Sequence, residues 1–319
     1  MHPAWYYLVS FCTAFAIVFF MVPSVRKLAL KLSFVDRPTQ RKAHTQPIPL
    51  LGGVAIYISF VITGGIFGKA GPTYWGIALG GLLILLVGIL DDYYKTQSKD
   101  FKPWPRFIAQ IISALVLVGF GITINGVNDP FNGRYMTFPL WVSILTTVIW
   151  VVAITNMMNF LDGVDGLACG IAAISSITLF FIALLKGQYP MAVLAMILMG
   201  SALGFLRYNF YPARIFMGDA GATFLGFVLA AIAVDGAFKS ATLISAIVPV
   251  LALGVPITDT LWVIVKRFRE NRPIYLGDRG HTFHILMRSG LTQIQTVAVF
   301  YIVGLCFSIA SIAILLAAK

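Results

Sequence analysis

Long stretches without a charged residue constrain the fold of this chain more than any other feature. A helix needs about 20 mostly apolar residues to cross the hydrocarbon core of a bilayer. Ten runs without Asp, Glu, Lys or Arg have 15 or more residues: 1–25, 43–68, 70–90, 107–128, 135–161, 166–185, 187–206, 220–234, 240–258 and 289–318. Since 59% of the residues are hydrophobic and 11% are charged, we predict an all-α membrane protein of about ten transmembrane helices. A single polytopic domain is expected over residues 1–319.

The basic residues are divided unevenly between the links that join these runs. An even number of spans places both termini on one side, and that side holds only five of the 23 Lys and Arg residues. Cytoplasmic loops of membrane proteins carry the excess of Lys and Arg. We therefore expect both termini to be extracytoplasmic. The net charge of +11 follows from this bias and from attraction to anionic membrane lipids, so it does not indicate a nucleic-acid partner.

The acidic residues gather on the opposite side from the termini. There are twelve, eleven Asp and Glu270, and only Asp129 and Asp235 fall outside the predicted cytoplasmic side. Short carboxylates concentrated on one membrane face indicate ligation of a hard cation or general-base chemistry. We therefore expect the active site on the cytoplasmic face.

The first candidate motif ends the third run, where Asp91 and Asp92 are adjacent and Lys95 follows. Two carboxylates at the C-terminal end of a helix oppose the helix dipole, so a bound cation is expected to compensate them. A solvated helix end with Lys95 as the counter-charge would explain the same pattern.

The second motif is Asn156-Met-Met-Asn159-Phe-Leu-Asp162-Gly-Val-Asp165-Gly166. Asp162 and Asp165 share one face if the turn is helical, and each is followed by glycine, which lets backbone approach a ligand closely. The segment joins two runs without any basic residue. A solvated loop on a cytoplasmic face would rarely be so acidic, so the motif indicates a functional site.

The third motif is the loop that leads into the eighth run and ends at Asp219. Asp219 is expected to cap the helix of that run. Capping does not explain Asn209, Arg214 and Phe216 in the same short loop, although interfacial packing alone would account for Phe216. Asp219 is therefore also a candidate ligand.

The fourth motif lies in the link after the ninth run, where His281 and His284 follow Arg279. Imidazole and guanidinium groups together suit phosphate or sugar hydroxyls. His44, in the basic loop before Gly52 and Gly53, is a further candidate for the same site.

Together, the four motifs resemble those of the polyprenyl-phosphate N-acetylhexosamine-1-phosphate transferases, glycosyltransferase family 4, from about Arg37 to Thr296. The pattern is closest to the bacterial enzymes that initiate teichoic acid, O-antigen or common-antigen synthesis. The resemblance implies transfer of N-acetylglucosamine-1-phosphate from UDP-N-acetylglucosamine (UDP-GlcNAc) to undecaprenyl phosphate, releasing UMP. It also implies a multi-pass protein of the bacterial inner membrane that uses Mg²⁺ or Mn²⁺, and it leaves open whether the protein is a homodimer.

The resemblance further implies roles for individual residues. The catalytic residues would be Asp91, Asp92, Lys95 and Asp162, and the metal ligands Asp219 and Asp92. The uridine would be bound by Asn156, Asn159, Asp165, Asn209 and Phe216. The sugar and diphosphate would be bound by His281, His284, Arg279 and His44.

Phe283 stands where the fuller His-x-His-His motif of the family has its middle histidine. We expect it to be a packing residue in a loop that faces water. The loop also lacks features associated with the pentapeptide-carrying donor, so UDP-GlcNAc is favoured, with another UDP-N-acetylhexosamine, including the N-acetylmuramoyl-pentapeptide donor, as the alternative.

Other classes fit the sequence less well. A CDP-alcohol phosphotransferase needs Asp-Gly-x-x-Ala-Arg, a continuation that Asp162-Gly163 and Asp165-Gly166 both lack. A membrane transporter should place polar residues in mid-membrane, where these runs have no charge. A structural membrane module would not gather ten acids on one side. Whether transfer is direct, with Asp91 positioning or deprotonating the acceptor phosphate, or passes through a covalent aspartyl intermediate is left open.

Overall fold

The protein is all-helical apart from two short hairpins, as seen in a computed structural model that describes residues 2–37, 46–97, 99, 101–128, 135–237, 243–271 and 280–317. The candidates His44 and Arg279 lie outside these residues. The helices are α1 (Ala4–Lys31), α2 (Gly52–Phe67), α3 (Pro72–Thr96), α4 (Pro103–Gly119), α5 (Leu140–Leu161), α6 (Leu167–Leu185), α7 (Tyr189–Asn209), α8 (Gly218–Ala237), α9 (Leu243–Ala252), α10 (Gly254–Arg269), α11 (Thr282–Arg288) and α12 (Gln293–Ala317).

Each of the ten charge-free runs coincides with a helix, but the ninth is divided. In that run, 240–258, α9 ends at Ala252 and α10 begins at Gly254. Pro256 lies in the first turn of α10. A proline ring clashes with the carbonyl four residues earlier in a continuous helix, and here that residue is Ala252. The ninth run is therefore two helices rather than one.

Seven of the described helices are long and apolar enough to cross a membrane: α1, α3, α5, α6, α7, α8 and α12. α2 and α4 are also apolar but shorter. The chain is therefore a multi-pass membrane protein. That about ten helices cross the membrane, that both termini are extracytoplasmic and that the chain forms one domain stay predictions.

α8 is the central helix of the bundle. It packs against α2, α3, α5 and α6, and its side chains from Phe224 to Val234 are buried. Close approach of the backbones makes this possible. A Cβ at Gly88 of α3 would overlap the Cα of Ala220, and a Cβ at Gly53 of α2 would overlap Gly221.

Two antiparallel hairpins link the helices. β1 (Val35–Asp36) pairs with β2 (Ile48–Pro49), and β3 (Gly126–Asn128) pairs with β4 (Tyr135–Thr137). The first hairpin supports the loop before α8, because the carbonyl of Pro49 accepts a hydrogen bond from the Phe216 N–H at 2.8 Å. The carbonyl of Phe216 in turn accepts from Gly52 at the start of α2.

The contact between α3 and α8 gives the first prediction. Gly88→Ala should lower the free energy of unfolding by about 1–3 kcal/mol, because a methyl group has no space against the Ala220 backbone. Thermal unfolding in detergent measures the loss. Gly119→Ala is the matched control, since no atom lies within 4 Å of a Cβ at that helical position. Equal stability of the two variants would contradict the close packing of α3 on α8.

Candidate active site

Asp219, in the first turn of α8, forms ion pairs with two other helices. Its Oδ1 lies 2.6 Å from Lys95 Nζ on α3, and its Oδ2 lies 2.9 Å from Arg106 Nη1 on α4. The same Arg106 nitrogen is 2.8 Å from Asp91 Oδ2, which Lys95 Nζ also approaches at 3.7 Å. Two carboxylates and two cations thus form one group, the Asp219 cluster, made of Asp91, Lys95, Arg106 and Asp219.

Asp92 caps α8 from the neighbouring helix. Its side chain is buried, and its two oxygens accept hydrogen bonds from the Asp219 N–H at 2.9 Å and the Ala220 N–H at 3.2 Å. The expectation that Asp219 caps its own helix is therefore wrong. Because α3 supplies the cap, the Asp219 carboxylate is available to Lys95 and Arg106.

Glycine is needed at position 218 for two reasons. Its φ of +69° is in the left-handed region, which residues with a Cβ rarely adopt. A Cβ there would also overlap the carboxylate of Asp92. The turn that brings Asp92 onto the start of α8 therefore depends on Gly218.

The Asp219 cluster has oxygen atoms that suit a hard cation. Oδ2 of Asp91 and Oδ2 of Asp219 converge on one Arg106 nitrogen, so two carboxylates face a single cationic position. Mg²⁺ commonly binds one or two carboxylates and completes its shell with water and substrate phosphates. Within the described residues, no three His, Cys, Asp or Glu side chains form a ready ligand set, and both oxygens of Asp92 are already bonded to α8.

A cleft opens beside the Asp219 cluster between α3, α4 and α8. Its lining residues are Ile84, Val87, Gly88, Arg106, Ala109, Gln110, Asp219 and Thr223. The side-chain amides of Gln110 and Asn156 of α5 bond to each other in both directions. Asn156 Nδ2 donates to Gln110 Oε1 at 2.6 Å, and Gln110 Nε2 donates to Asn156 Oδ1 at 3.3 Å. Asn156 is thereby fixed at the edge of the cleft.

The end of α5 brings the second motif to the same end of the bundle. The side chain of Asn159 is half-buried and makes no hydrogen bond within the described part of the chain. Asp162 follows the last turn of α5. Burial raises the pKa of Asp162 well above its ordinary value, and the charge of Asp219 raises it further against the opposing effect of Lys95. Asp162 therefore lies within electrostatic reach of the Asp219 cluster.

Asp165 and Asn209 join the second and third motifs. The buried Asn209 accepts a hydrogen bond from the Gly166 N–H and donates one to the Ile215 carbonyl, each at 3.1 Å. Asp165 Oδ2 accepts from the Ala213 N–H at 2.9 Å. These bonds hold the two loops against each other. The side chain of Phe216 packs on the cluster of Ala29, Phe34 and Leu50.

The histidine motif is anchored to α10 through Asp259. This buried residue of α10 has Oδ2 at 2.7 Å from His281 Nδ1, and its Oδ1 accepts from the Thr282 N–H at 2.8 Å. Burial opposes ionisation, but the hydrogen bonds from His281 and Thr282 outweigh it and hold the pKa of Asp259 below its ordinary value. The carboxyl is therefore ionised at neutral pH.

Phe283 packs against the second motif. Its side chain is 2% exposed, and a Cβ at Gly163 would lie 2.6 Å from the ring. The expected packing role is confirmed, whereas the expectation that this part of the loop faces water is wrong. Gly163 has no side chain, which leaves the space that the ring occupies. His284 lies beside Phe283, with ring centroids 4.4 Å apart.

Sequence reasoning did not identify Arg106, Gln110 or Asp259 as site residues. Arg106 and Asp259 are charged residues that directly border charge-free runs, and ionisable groups at the edge of a membrane span are commonly functional. Gln110 is one helical turn beyond Arg106 and shares its face. The position of a charge at the edge of an apolar run, and the helical spacing from it, could have identified Arg106, Asp259 and Gln110.

Comparison with known proteins identifies relatives of this chain. A family model described as glycosyl transferase family 4 matches residues 74–237. A Bacillus subtilis protein named as a probable undecaprenyl-phosphate N-acetylglucosaminyl 1-phosphate transferase is 37% identical over 95% of this chain and 84% of its own. A Mycobacterium tuberculosis decaprenyl-phosphate N-acetylglucosaminephosphotransferase is 33% identical over 91% of this chain and 78% of its own. A phospho-N-acetylmuramoyl-pentapeptide-transferase of Limosilactobacillus fermentum is 32% identical over 95% and 96%.

The Asp219 cluster gives a prediction about stability. Arg106→Gln should lower the free energy of unfolding by about 1–3 kcal/mol, because Asp91 and Asp219 lose the cation that joins them. Lys102→Gln removes an exposed positive charge just before the same helix and should change stability much less. Thermal unfolding of both variants makes the comparison. If Arg106→Gln unfolds at the wild-type temperature, the ion pairs do not hold α4 to α8.

Proposed function

Because this chain belongs to glycosyl transferase family 4, we propose that it transfers N-acetylglucosamine-1-phosphate from UDP-GlcNAc to undecaprenyl phosphate. The products are undecaprenyl diphosphate-N-acetylglucosamine and UMP. The observation that carries the proposal is the convergence of Asp91, Lys95, Arg106 and Asp219 within the matched region. The name of the Bacillus subtilis relative describes the same acceptor and the same transferred group.

The reaction has an electrostatic difficulty that the Asp219 cluster can resolve. An oxygen of the acceptor phosphate attacks the phosphorus that bears the sugar, one phosphoanhydride bond forms, and the bond to UMP breaks. Both reactants are anionic, so they repel each other. Lys95 and Arg106 supply fixed positive charge where this repulsion must be reduced, and charge placed in advance requires no rearrangement during the reaction.

A divalent cation, Mg²⁺ or Mn²⁺, is part of the proposal. Asp219 would hold it, and Asp91, the carboxylate that shares Arg106 with Asp219, is the second candidate ligand. When bound, the cation neutralises diphosphate charge and orients the diphosphate. Asp92 was expected to be a second ligand. Its hydrogen bonds to α8 support a different contribution, in which it fixes the turn that carries Asp219.

Two carboxylates are proposed to act on the reacting groups. Asp91 would position the acceptor phosphate or accept its proton, since it shares Arg106 with Asp219. Asp162 lies within electrostatic reach of the same group. A covalent aspartyl intermediate is the alternative route, and single-turnover kinetics would distinguish it from direct transfer.

We propose that the neighbouring motifs bind the uridine and the sugar. The uncommitted side chain of Asn159 is the strongest candidate for a uracil contact. The uridine site would also include Asn156, Asp165 and Asn209. Their hydrogen bonds hold the surrounding segments of the chain in place, and Phe216 would add an aromatic surface. The sugar and diphosphate would be bound by His281, His284, Arg279 and His44.

The alternative to UDP-GlcNAc is a donor that carries a different N-acetylhexosamine. The Limosilactobacillus fermentum relative, with 32% identity over 96% of its length, carries a name that refers to a muramoyl-pentapeptide group. That relationship is the reason to keep the same chemistry on an N-acetylmuramoyl-pentapeptide donor as the alternative.

A donor panel tests the proposed reaction. Purified protein with undecaprenyl phosphate and Mg²⁺ should release UMP from UDP-GlcNAc and much less from the UDP-N-acetylmuramoyl-pentapeptide donor. Release should stop when the lipid phosphate is omitted, because no acceptor is then present. Faster release from the pentapeptide donor would establish the alternative, and no release from any UDP-N-acetylhexosamine would contradict the transferase activity.

Asp219 and the metal give a further prediction. Excess EDTA should abolish UMP release and Mg²⁺ or Mn²⁺ should restore it, while Asp219→Asn should reduce kcat at least ~10²-fold. Asp235→Asn makes the same change at the opposite end of α8. Asp235 is buried, so its replacement could reduce the amount of folded protein. Rates are therefore compared per folded molecule, and on that basis kcat of Asp235→Asn should be close to the wild-type value. Full turnover in EDTA, or equal losses in the two variants, would contradict the role of Asp219.

A further inference from the structure

Asp259 is the one buried carboxylate among the described residues that binds a histidine of the motifs. It is 3% exposed, and both of its oxygens are engaged, one with the ring of His281 and one with the backbone of Thr282. It belongs to α10, outside the four motifs. A buried carboxylate must be compensated by partners, and these two partners are both at the start of α11.

The bond between Asp259 and His281 determines which ring nitrogen is left for other contacts. An ionised carboxylate can only accept, so Nδ1 of His281 must carry a proton. Nε2 is then the remaining nitrogen, and it makes no hydrogen bond within the described part of the chain.

Aromatic contacts fix the plane of the same ring. His281 stacks on Phe283, with ring centroids 5.5 Å apart and planes at 9°, and Phe160 lies 5.8 Å away. Phe283 packs on Gly163, the neighbour of Asp162. The imidazole is therefore held next to the second motif by packing and by a hydrogen bond.

We infer that Asp259 is a positioning residue, which fixes the ring and the tautomer of His281 so that Nε2 meets the diphosphate-sugar part of the donor. This inference rests on the proposed transfer reaction. A purely structural role is the competing explanation, since Asp259 also accepts from the Thr282 N–H and could serve only to cap α11.

Asp259→Asn separates these explanations. The asparagine carbonyl can still accept from Thr282, but its NH₂ group donates to Nδ1 and moves the ring proton to Nε2. We expect kcat/KM for UDP-GlcNAc to fall about ten- to a hundred-fold, with thermal stability close to wild type. Asp259→Glu keeps the carboxylate and should recover most of the loss.

Thr282→Pro is the matched control for the capping role. Proline is tolerated at the first position of a helix, and it removes the N–H that Asp259 accepts while leaving the bond to His281. Under the positioning role this variant should stay within a few-fold of wild-type kcat/KM. A loss in Thr282→Pro, together with near-wild-type kcat/KM in Asp259→Asn, would show that capping is what matters, because Asp259→Asn keeps the acceptor for the Thr282 N–H, and it would overturn the inference.

A double-mutant cycle completes the test. If Asp259 acts through His281, Asp259→Asn should cause no further loss in a His281→Ala background, because the ring that it orients is gone. Losses that multiply would overturn the positioning role while leaving the transferase intact. Absence of UMP release from the wild type with every donor would instead overturn the reaction, and this inference with it.

Discussion

The ion pairs of Asp219 with Lys95 and Arg106 connect three helices at one end of an otherwise apolar bundle. A charge in such surroundings is tolerated only when it is paired. α3 and α4 therefore each place a cation against α8, and Asp91 adds a second anion to the group. The cap on α8 comes from Asp92 for the same reason, because the first N–H groups of a buried helix need an acceptor.

This constraint explains how structural and chemical roles are divided among neighbouring aspartates. Asp92 holds the turn, while Asp219 and Asp91 both accept hydrogen bonds from the Arg106 side chain. The proposed site then has two sides. The Asp219 cluster would provide charge for the diphosphate, and His281, held by Asp259 of α10, would meet the donor beside the second motif. Gly163, the residue after Asp162, leaves the space that the Phe283 ring occupies.

Helix positions and the identity of the acidic motifs could be predicted from the sequence, because long apolar runs and clustered aspartates are local signals. The break between α9 and α10 could be predicted only in part, because the ninth run holds two prolines, Pro249 inside α9 and Pro256 in the first turn of α10. Which residues of different helices pair with each other could not be predicted from the sequence. Whether Arg106 pairs with Asp219, or Phe283 fills the space at Gly163, depends on how helices far apart in sequence pack together.

The location of the metal is the most direct test of this account. Crystals grown with Mn²⁺ and UDP would reveal the ion by its anomalous scattering, independently of turnover. We expect a peak within coordination distance of the Asp219 carboxylate, with Asp92 still bonded to the start of α8. A peak on other carboxylates, with Asp219 still paired to both Lys95 and Arg106, would contradict it.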